Sequence, residues 1–578
     1  MNKKTTNILL TFAFIGTMAV LYYTIGISPT YYICDDIFMK QIVSGEMLGV
    51  PEAHILHIGY LTGSFLKILY TLFPTVPWYG ILLFSYYGIS IIIIYYTLIK
   101  GIDSLKVKLL FFILFAFITI SFLWIHMILI QFTTITAILC AVSLITFYVS
   151  EDCFVPFKYV KSNAVSLLFF FLSFELRNAA CLMFLPTFFF LALAKLLKNK
   201  KMFVPLVSYG CSLICIMSAC VIIENLAYSE DQWKDFRTYN NARAQIVDYN
   251  GFLDYEDYAS HYEAHGIDYT SYQAIVSHAQ LLLDENIDTP FMIETAALSY
   301  HPHINIPSMI KQFLELHTTS YHDRPLNLIV YLLYIFTFFL IILSKRTSAF
   351  CELLALLAGR MSIWFYLLYI NRPQPRVTQG IYFVELILLA AILLKNNLWA
   401  PIINRPKIVY WVTLSCFIGS IFFFGAKWGL PFMKGTHNTS TGRIYLYQNY
   451  REIQSYFNEH EENLYLLDTN NFCNFLEPIF EPSGSSMHNS ILLGSWTSNS
   501  PWTDYIAENY QITSFETAAL TMDNVFFVFF DSGTKEYDYL EQYYQSKYPN
   551  SAIRVHDSFK TSMGLEILIL KVENTAPF

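Results

Sequence analysis

Eleven stretches of this chain are apolar over the length of a membrane-spanning helix, and no other feature restricts its fold as much. A helix needs roughly 20 mostly apolar residues to cross a hydrocarbon layer roughly 30 Å thick. Such stretches run over 7–27, 78–99, 109–126, 129–149, 163–182, 183–197, 203–224, 326–344, 347–370, 378–395 and 408–428. The fifth and sixth form a nearly continuous run from Asn163 to Leu197, so two spans there require a break near Arg177 and Asn178. With 55% hydrophobic and 14% charged residues among 578, an ordinary soluble globule is excluded. The fold class is therefore mainly α, a polytopic membrane protein.

Short loops that keep Lys and Arg face the cytoplasm. Lys3 and Lys4, Lys100, Lys106 and Lys108, Lys158 and Lys161, Lys195, Lys198, Lys200 and Lys201, Lys345 and Arg346, and Lys395, Arg405 and Lys407 fall on one side if the N-terminus is cytoplasmic. That alternation puts three polar segments outside: 28–77, 225–325 and the C-terminal region from 430 to 578. The first helix is read as retained, because it is about twenty residues long and lacks a small-x-small cleavage site.

The first outer loop contains Cys34-Asp35-Asp36, Ser44-Gly45, Pro51 and His54, and ends in an amphipathic stretch, 60–73, suited to the membrane interface. The insertion at 225–325 is helix-patterned and too long to be a passive connector. Beyond 430, β-rich runs at 463–468, 524–530 and 564–572 alternate with helical patterns at 444–458 and 535–548, which predicts a small extracytoplasmic α/β domain. No glycine fingerprint for a nucleotide accompanies these strands, and no repeat or inverted half is visible. The ten cysteines form no C-x-x-C pair; only Cys34 and Cys473 fall on the outer side, where a bond between them is conceivable. The net charge of −8 and the acidic insertion exclude nucleic acid as a partner.

Chemistry-bearing residues collect on the outer side. Asp35 and Asp36 offer adjacent carboxylates for proton abstraction or cation binding, against the plainer reading of solvated loop acids. His54 and His57, three apart, can hydrogen-bond a phosphate, although interfacial histidines are the commoner outcome. Arg177 and Glu175 sit in an apolar stretch, where a buried charge needs a partner and where an ion pair between the two is one solution. Arg372-Pro373-Gln374-Pro375-Arg376 fixes two cations in a rigid turn, and paired arginines outside run against the positive-inside bias, which favours a phosphate clamp over snorkelling. Arg243 and Arg237 are further candidates, and Arg360, in mid-span, requires an internal partner.

In helix count, orientation and the position of Asp35-Asp36 after the first helix, the chain resembles the GT-C superfamily of membrane glycosyltransferases. It is similar above all to bacterial members whose first loop carries Asp-Asp, Ser-Gly, Pro and His ahead of an aromatic pair, here Trp78-Tyr79. The resemblance covers 1–429 as a catalytic core, while 430–578 matches in position only. It implies inverting transfer of a sugar from a polyprenyl-phosphate donor to a glycan, lipid or protein acceptor at the outer face of the cytoplasmic membrane. Carried over, Asp36 or Asp35 is the base; Arg372 and Arg376, joined by Arg177, Arg243 and His54, bind donor phosphate; His57 and Glu175 contact the acceptor. Some members use a divalent metal such as Mg or Mn, for which Asp35, Asp36 and His54 are the available ligands; nothing in the sequence demands one. Two other readings stand beside this one, a transporter or flippase of a lipid-linked sugar and a non-enzymatic receptor or assembly protein.

Overall fold

The computed structural model describes residues 2–300, 305–319, 325–398, 407–484, 486–531 and 533–574, without the side chains of 407, 409 and 410. Among the described residues ten helices are long and apolar enough to cross a membrane, and a bent pair, Pro156–Ser162 with Ala164–Leu176, raises the total to eleven. Each expected span has its counterpart. Arg405, counted above with the cytoplasmic cations, lies outside the described residues.

Burial differs widely between helices of the same mean hydropathy. Phe132–Val149 is buried along almost its whole length, packed between Pro375–Lys395 and Ala164–Leu176, whereas Lys3–Ile25 leaves most of its surface open. The break required in the long apolar run falls at Arg177, whose extended backbone (φ −162°, ψ 99°) separates Ala164–Leu176 from Asn178–Leu182. Arg360, in the span Thr347–Tyr369, finds the partner its burial demands in Glu385 of the next span, which also accepts from Tyr334 Oη at 2.9 Å.

The last span departs from expectation. It continues beyond 429 as Leu430–Glu459, joined to Lys407–Phe424 by the widened turn Gly425–Gly429. A β-carbon on Gly429 would meet Ser121 Cβ and backbone O at 2.9 Å, so glycine there lets the two helices approach this closely, and one on Gly425 would press on the edge of the Phe117 ring. The boundary expected at 430 is thus a continuous helix, whose far end packs Ile453 and Phe457 against the C-terminal sheet.

That sheet is built from β3 (Leu464–Leu467), β4 (Ser490–Leu492), β5 (Val525–Phe530), β6 (Ser551–Lys560) and β7 (Glu566–Asn574), in the order β4-β3-β5-β7-β6. The first three are parallel and the last two close an antiparallel hairpin. Two further strands, β1 (Thr30–Tyr31) and β2 (Leu129–Ile130), pair in parallel and tie the first polar segment to the helical bundle.

All three polar segments gather at one end of the bundle. The C-terminal domain hydrogen-bonds the first segment through Tyr31 N to Glu477 O (3.0 Å) and Ile479 N to Pro29 O (3.1 Å). It grips the insertion through Gln280 Nε2 to Asp468 Oδ1 (2.7 Å) and Lys547 Nζ to Asp284 Oδ2 (2.8 Å). Lys40 is buried between Glu46 and Glu477, at 2.7 Å from each. Burial, reinforced by Glu46 sharing the same cation, pushes the Glu477 carboxyl up to about 7 despite Lys40.

Candidate functional site

Asp35 and Asp36 occupy the first turn of a helix, Cys34–Ser44, rather than the loop the sequence suggests. Carboxylates are favoured there by the unpaired N–H groups of the helix end. Adjacent helical residues point about 100° apart, so the two acids face different surroundings. Asp35 lines a cavity and accepts from Trp496 Nε1 at 3.2 Å. Asp36 is fully buried and accepts from Tyr79 Oη at 2.8 Å and Phe132 N at 3.3 Å, and its Oδ2 has no partner among the described residues. Burial raises the Asp36 carboxyl well above the usual range, which favours its neutral form.

The cavity measures about 510 Å³ and is walled by every part of the polar end. The first segment gives Cys34, Asp35, Phe38 and His57; the break between spans gives Arg177; the insertion gives Arg243 and Asp248; the turn between two spans gives Arg372 and Arg376; and the C-terminal domain gives Thr469, Cys473, Ser495 and Trp496.

Local sequence explains each placement. Arg376 follows Pro375 in the first turn of Pro375–Lys395, with the ring of Pro375 preset for a helix start. Arg372 precedes this turn, its N–H bonded to Leu367 O at 2.9 Å, and its guanidinium lies 4.5 Å from the Tyr249 ring. Arg243 ends the helix Asp231–Arg243, and the wide turn Ala244–Asn250 that follows brings Asp248 back to it at 3.5 Å. Asp248 also meets Arg372 at 3.4 Å, so one carboxylate serves two guanidinium groups. Arg177 lies over the Phe132 ring at 4.7 Å. Among the described residues neither Arg177 nor Arg376 has a carboxylate within ion-pair distance.

His57 sits among these cations, stacked 6.0 Å from Phe132 and edge-on to Trp496 at 5.2 Å. Burial, then Arg177, Arg243, Arg376 and Arg372, hold its imidazole well below the ordinary histidine range, and it is neutral near pH 7. The Cys34 and Cys473 thiols are free and hydrogen-bonded to one another, a contact that, with burial, raises Cys473.

Several sequence-derived candidates lie elsewhere. His54 has both ring nitrogens engaged, with Glu52 Oε1 at 2.6 Å and Ala227 O at 3.1 Å, and stacks on Trp233 at 4.4 Å. It therefore does not share a surface with His57: residues 51–55 are irregular, so a spacing of three does not mean one face. Glu175 does not pair with Arg177; its carboxylate sits at the start of Tyr60–Leu72, accepting from Thr62 N at 3.3 Å, and Glu224 accepts there from Tyr60 N at 2.9 Å. Arg237 packs on Tyr228 at 4.9 Å. Asp35, Asp36 and His54 do not converge as metal ligands; the described residues hold one such grouping, His261, His265 and Glu294.

Sequence reasoning missed Asp248 and Trp496. Two arginines fixed in one short turn imply a counter-charge, but Asp248 lies 124 positions before Arg372 and only the fold unites them. A second cavity of about 200 Å³ adjoins the first, with Arg376 in both walls and Tyr32, Ile125, His126, Leu129 and Phe432 among its other lining residues. Compared with protein-family models, with curated proteins and with solved structures, the chain matches none of them.

Proposed function

We propose that this chain is a GT-C-type membrane glycosyltransferase, with its N-terminus cytoplasmic and its polar end at the outer face of the cytoplasmic membrane. It transfers a sugar from a polyprenyl-phosphate donor to an acceptor hydroxyl with inversion. One observation carries the reading: four arginines from three separate parts of the chain converge with Asp35 and His57 on one cavity. Against those four cations stand Asp35 and Asp248, leaving a surplus of two positive charges. A phosphomonoester carries roughly two negative charges near neutral pH, which is the charge of the polyprenyl phosphate released by transfer. Arg177 and Arg376, without carboxylate partners among the described residues, are the groups free to take it up.

In this reading Asp35, oriented by Trp496, removes the acceptor proton as the acceptor oxygen attacks the anomeric carbon. The bond from that carbon to the phosphate oxygen breaks with its electron pair on the oxygen, where the arginines stabilise the charge. The 510 Å³ cavity has room for a sugar phosphate, and the smaller cavity beyond Arg376 would take the start of the lipid chain. Asp36, buried and held by Tyr79, supports the first turn of the helix that presents Asp35 and is not the base.

The test is sugar transfer by purified protein in liposomes, from a polyprenyl-phosphate sugar to an acceptor mixture from cell envelope. Asp35→Asn should lower turnover by about 10²–10⁴-fold with little change in donor affinity. Arg376→Ala should weaken donor binding by about tenfold or more, as expected for loss of a charged hydrogen bond. Full turnover by Asp35→Asn refutes the assignment of the base, and movement of donor between leaflets without product favours the flippase.

A further inference from the structure

The insertion holds a grouping of potential metal ligands away from the arginine cavity. His261 lies on the helix Tyr255–Ala264 and His265 directly follows it, four positions on and so on the same face. Glu294 lies on Thr289–Ser299, and one ligand atom from each of the three falls within 4.8 Å of the others. We propose that His261, His265 and Glu294 bind a divalent transition metal, with zinc the best match, and that this metal clamps the two helices of the insertion together.

The surroundings are already arranged for it. Phe291, fully buried, stacks on the His261 ring at 5.8 Å and meets the His265 ring at 5.5 Å, so both imidazoles rest on one fixed platform. His265 Nε2 is 3.1 Å from Glu294 Oε2, so histidine and carboxylate already meet across the two helices. His261 Nε2 bonds Thr295 Oγ1 at 2.9 Å, the type of outer contact that fixes a metal-bound imidazole when its other nitrogen binds the ion. Metal–ligand lengths of about 2.0–2.2 Å place tetrahedral ligand atoms about 3.3–3.5 Å apart, which small side-chain rotations reach. The His265 side chain is 20% exposed and that of Glu294 60%, giving the ion a way in and water the fourth position. Two imidazoles and a carboxylate suit zinc better than Mg or Ca, which favour all-oxygen sites.

The clamp acts on the wall of the cavity. The chain between the two helices supplies Ile275, Val276, Ala279 and Leu281 to that wall, so a metal joining His265 to Glu294 fixes a segment that encloses the site.

Zinc titration of the purified full-length protein, stripped first with EDTA, tests the proposal through bound metal per chain and the thermal unfolding midpoint. The wild-type chain should retain one more zinc than His261→Gln/His265→Gln, and zinc should raise its midpoint but not that of the double variant. Glu294→Gln, at an exposed position, should weaken zinc affinity by at least about tenfold while the metal-free protein melts as wild type does. Equal zinc retention in the wild type and the double variant overturns the site. So does a loss of zinc caused by Cys34→Ser/Cys473→Ser with the histidine variants unaffected.

Discussion

At the scale of single residues, chemistry is decided by which way neighbours point. Asp35 and Asp36 are indistinguishable as letters, yet one faces an arginine-rich cavity and the other is sealed against Tyr79 and Phe132. The convergence of Arg372 and Arg376 was legible, because two cations around Pro373 and Pro375 cannot spread apart. The separation of His54 from His57 was not, because no helical period governs that stretch. His57 yields a prediction. Its imidazole is held neutral by burial and by four arginines, so a bound anion that offsets those charges raises its proton affinity. Binding therefore takes up a proton, and affinity for a phosphodiester donor, which does not itself titrate in this range, should rise as pH falls from 8 to 6. His57→Gln should abolish that dependence. A wild-type affinity flat across this range would contradict the placement of the donor beside His57.

At the scale of elements, hydrophobic length made nearly every span readable, and the seams were where reading failed. Pro431 and the polar run through Gly435, Thr436 and Asn438 look like the end of a helix. The widened turn Gly425–Gly429 just ahead of Pro431 lets the helix absorb a residue without an N–H and continue to Glu459. The short strand β4 and the β6 edge of the sheet were also unread, since three residues are too few for an alternation and β6 is largely exposed. Glu477 marks the seam between the C-terminal domain and the first polar segment. Its folded-state pKa of about 7 lies above the unfolded carboxylate value of about 4.3. The folded protein thus binds the proton more tightly, and stability from this group is fully present below the unfolded value and lost as pH rises through 7. The midpoint of the wild type relative to Glu477→Gln should climb as pH is lowered from 8 to 5. A pH-independent difference would show that the carboxyl is not perturbed at this seam.

At the scale of the whole molecule, three segments far apart in sequence close over one end of a helical bundle. The sequence presents them as a loop and an insertion of the helical core and a C-terminal domain; the structure joins them by Gln280–Asp468, Lys547–Asp284 and Lys40–Glu477 into a single cover with the cavity beneath. No local pattern encodes such long-range pairs, which is why Asp248 and Trp496 emerged only with the fold. The proposed activity depends on that enclosure, because a lipid-borne phosphate has to meet arginines from the bundle, and an acceptor has to meet Asp35 beneath the C-terminal domain. Determination by electron cryomicroscopy of the protein bound to a non-transferable polyprenyl-phosphate sugar tests this most directly. The account predicts phosphate density within hydrogen-bond distance of Arg177 and Arg376, with the sugar on the Asp35 side. Phosphate bound at the opposite end of the bundle, or outside this cavity, would contradict it.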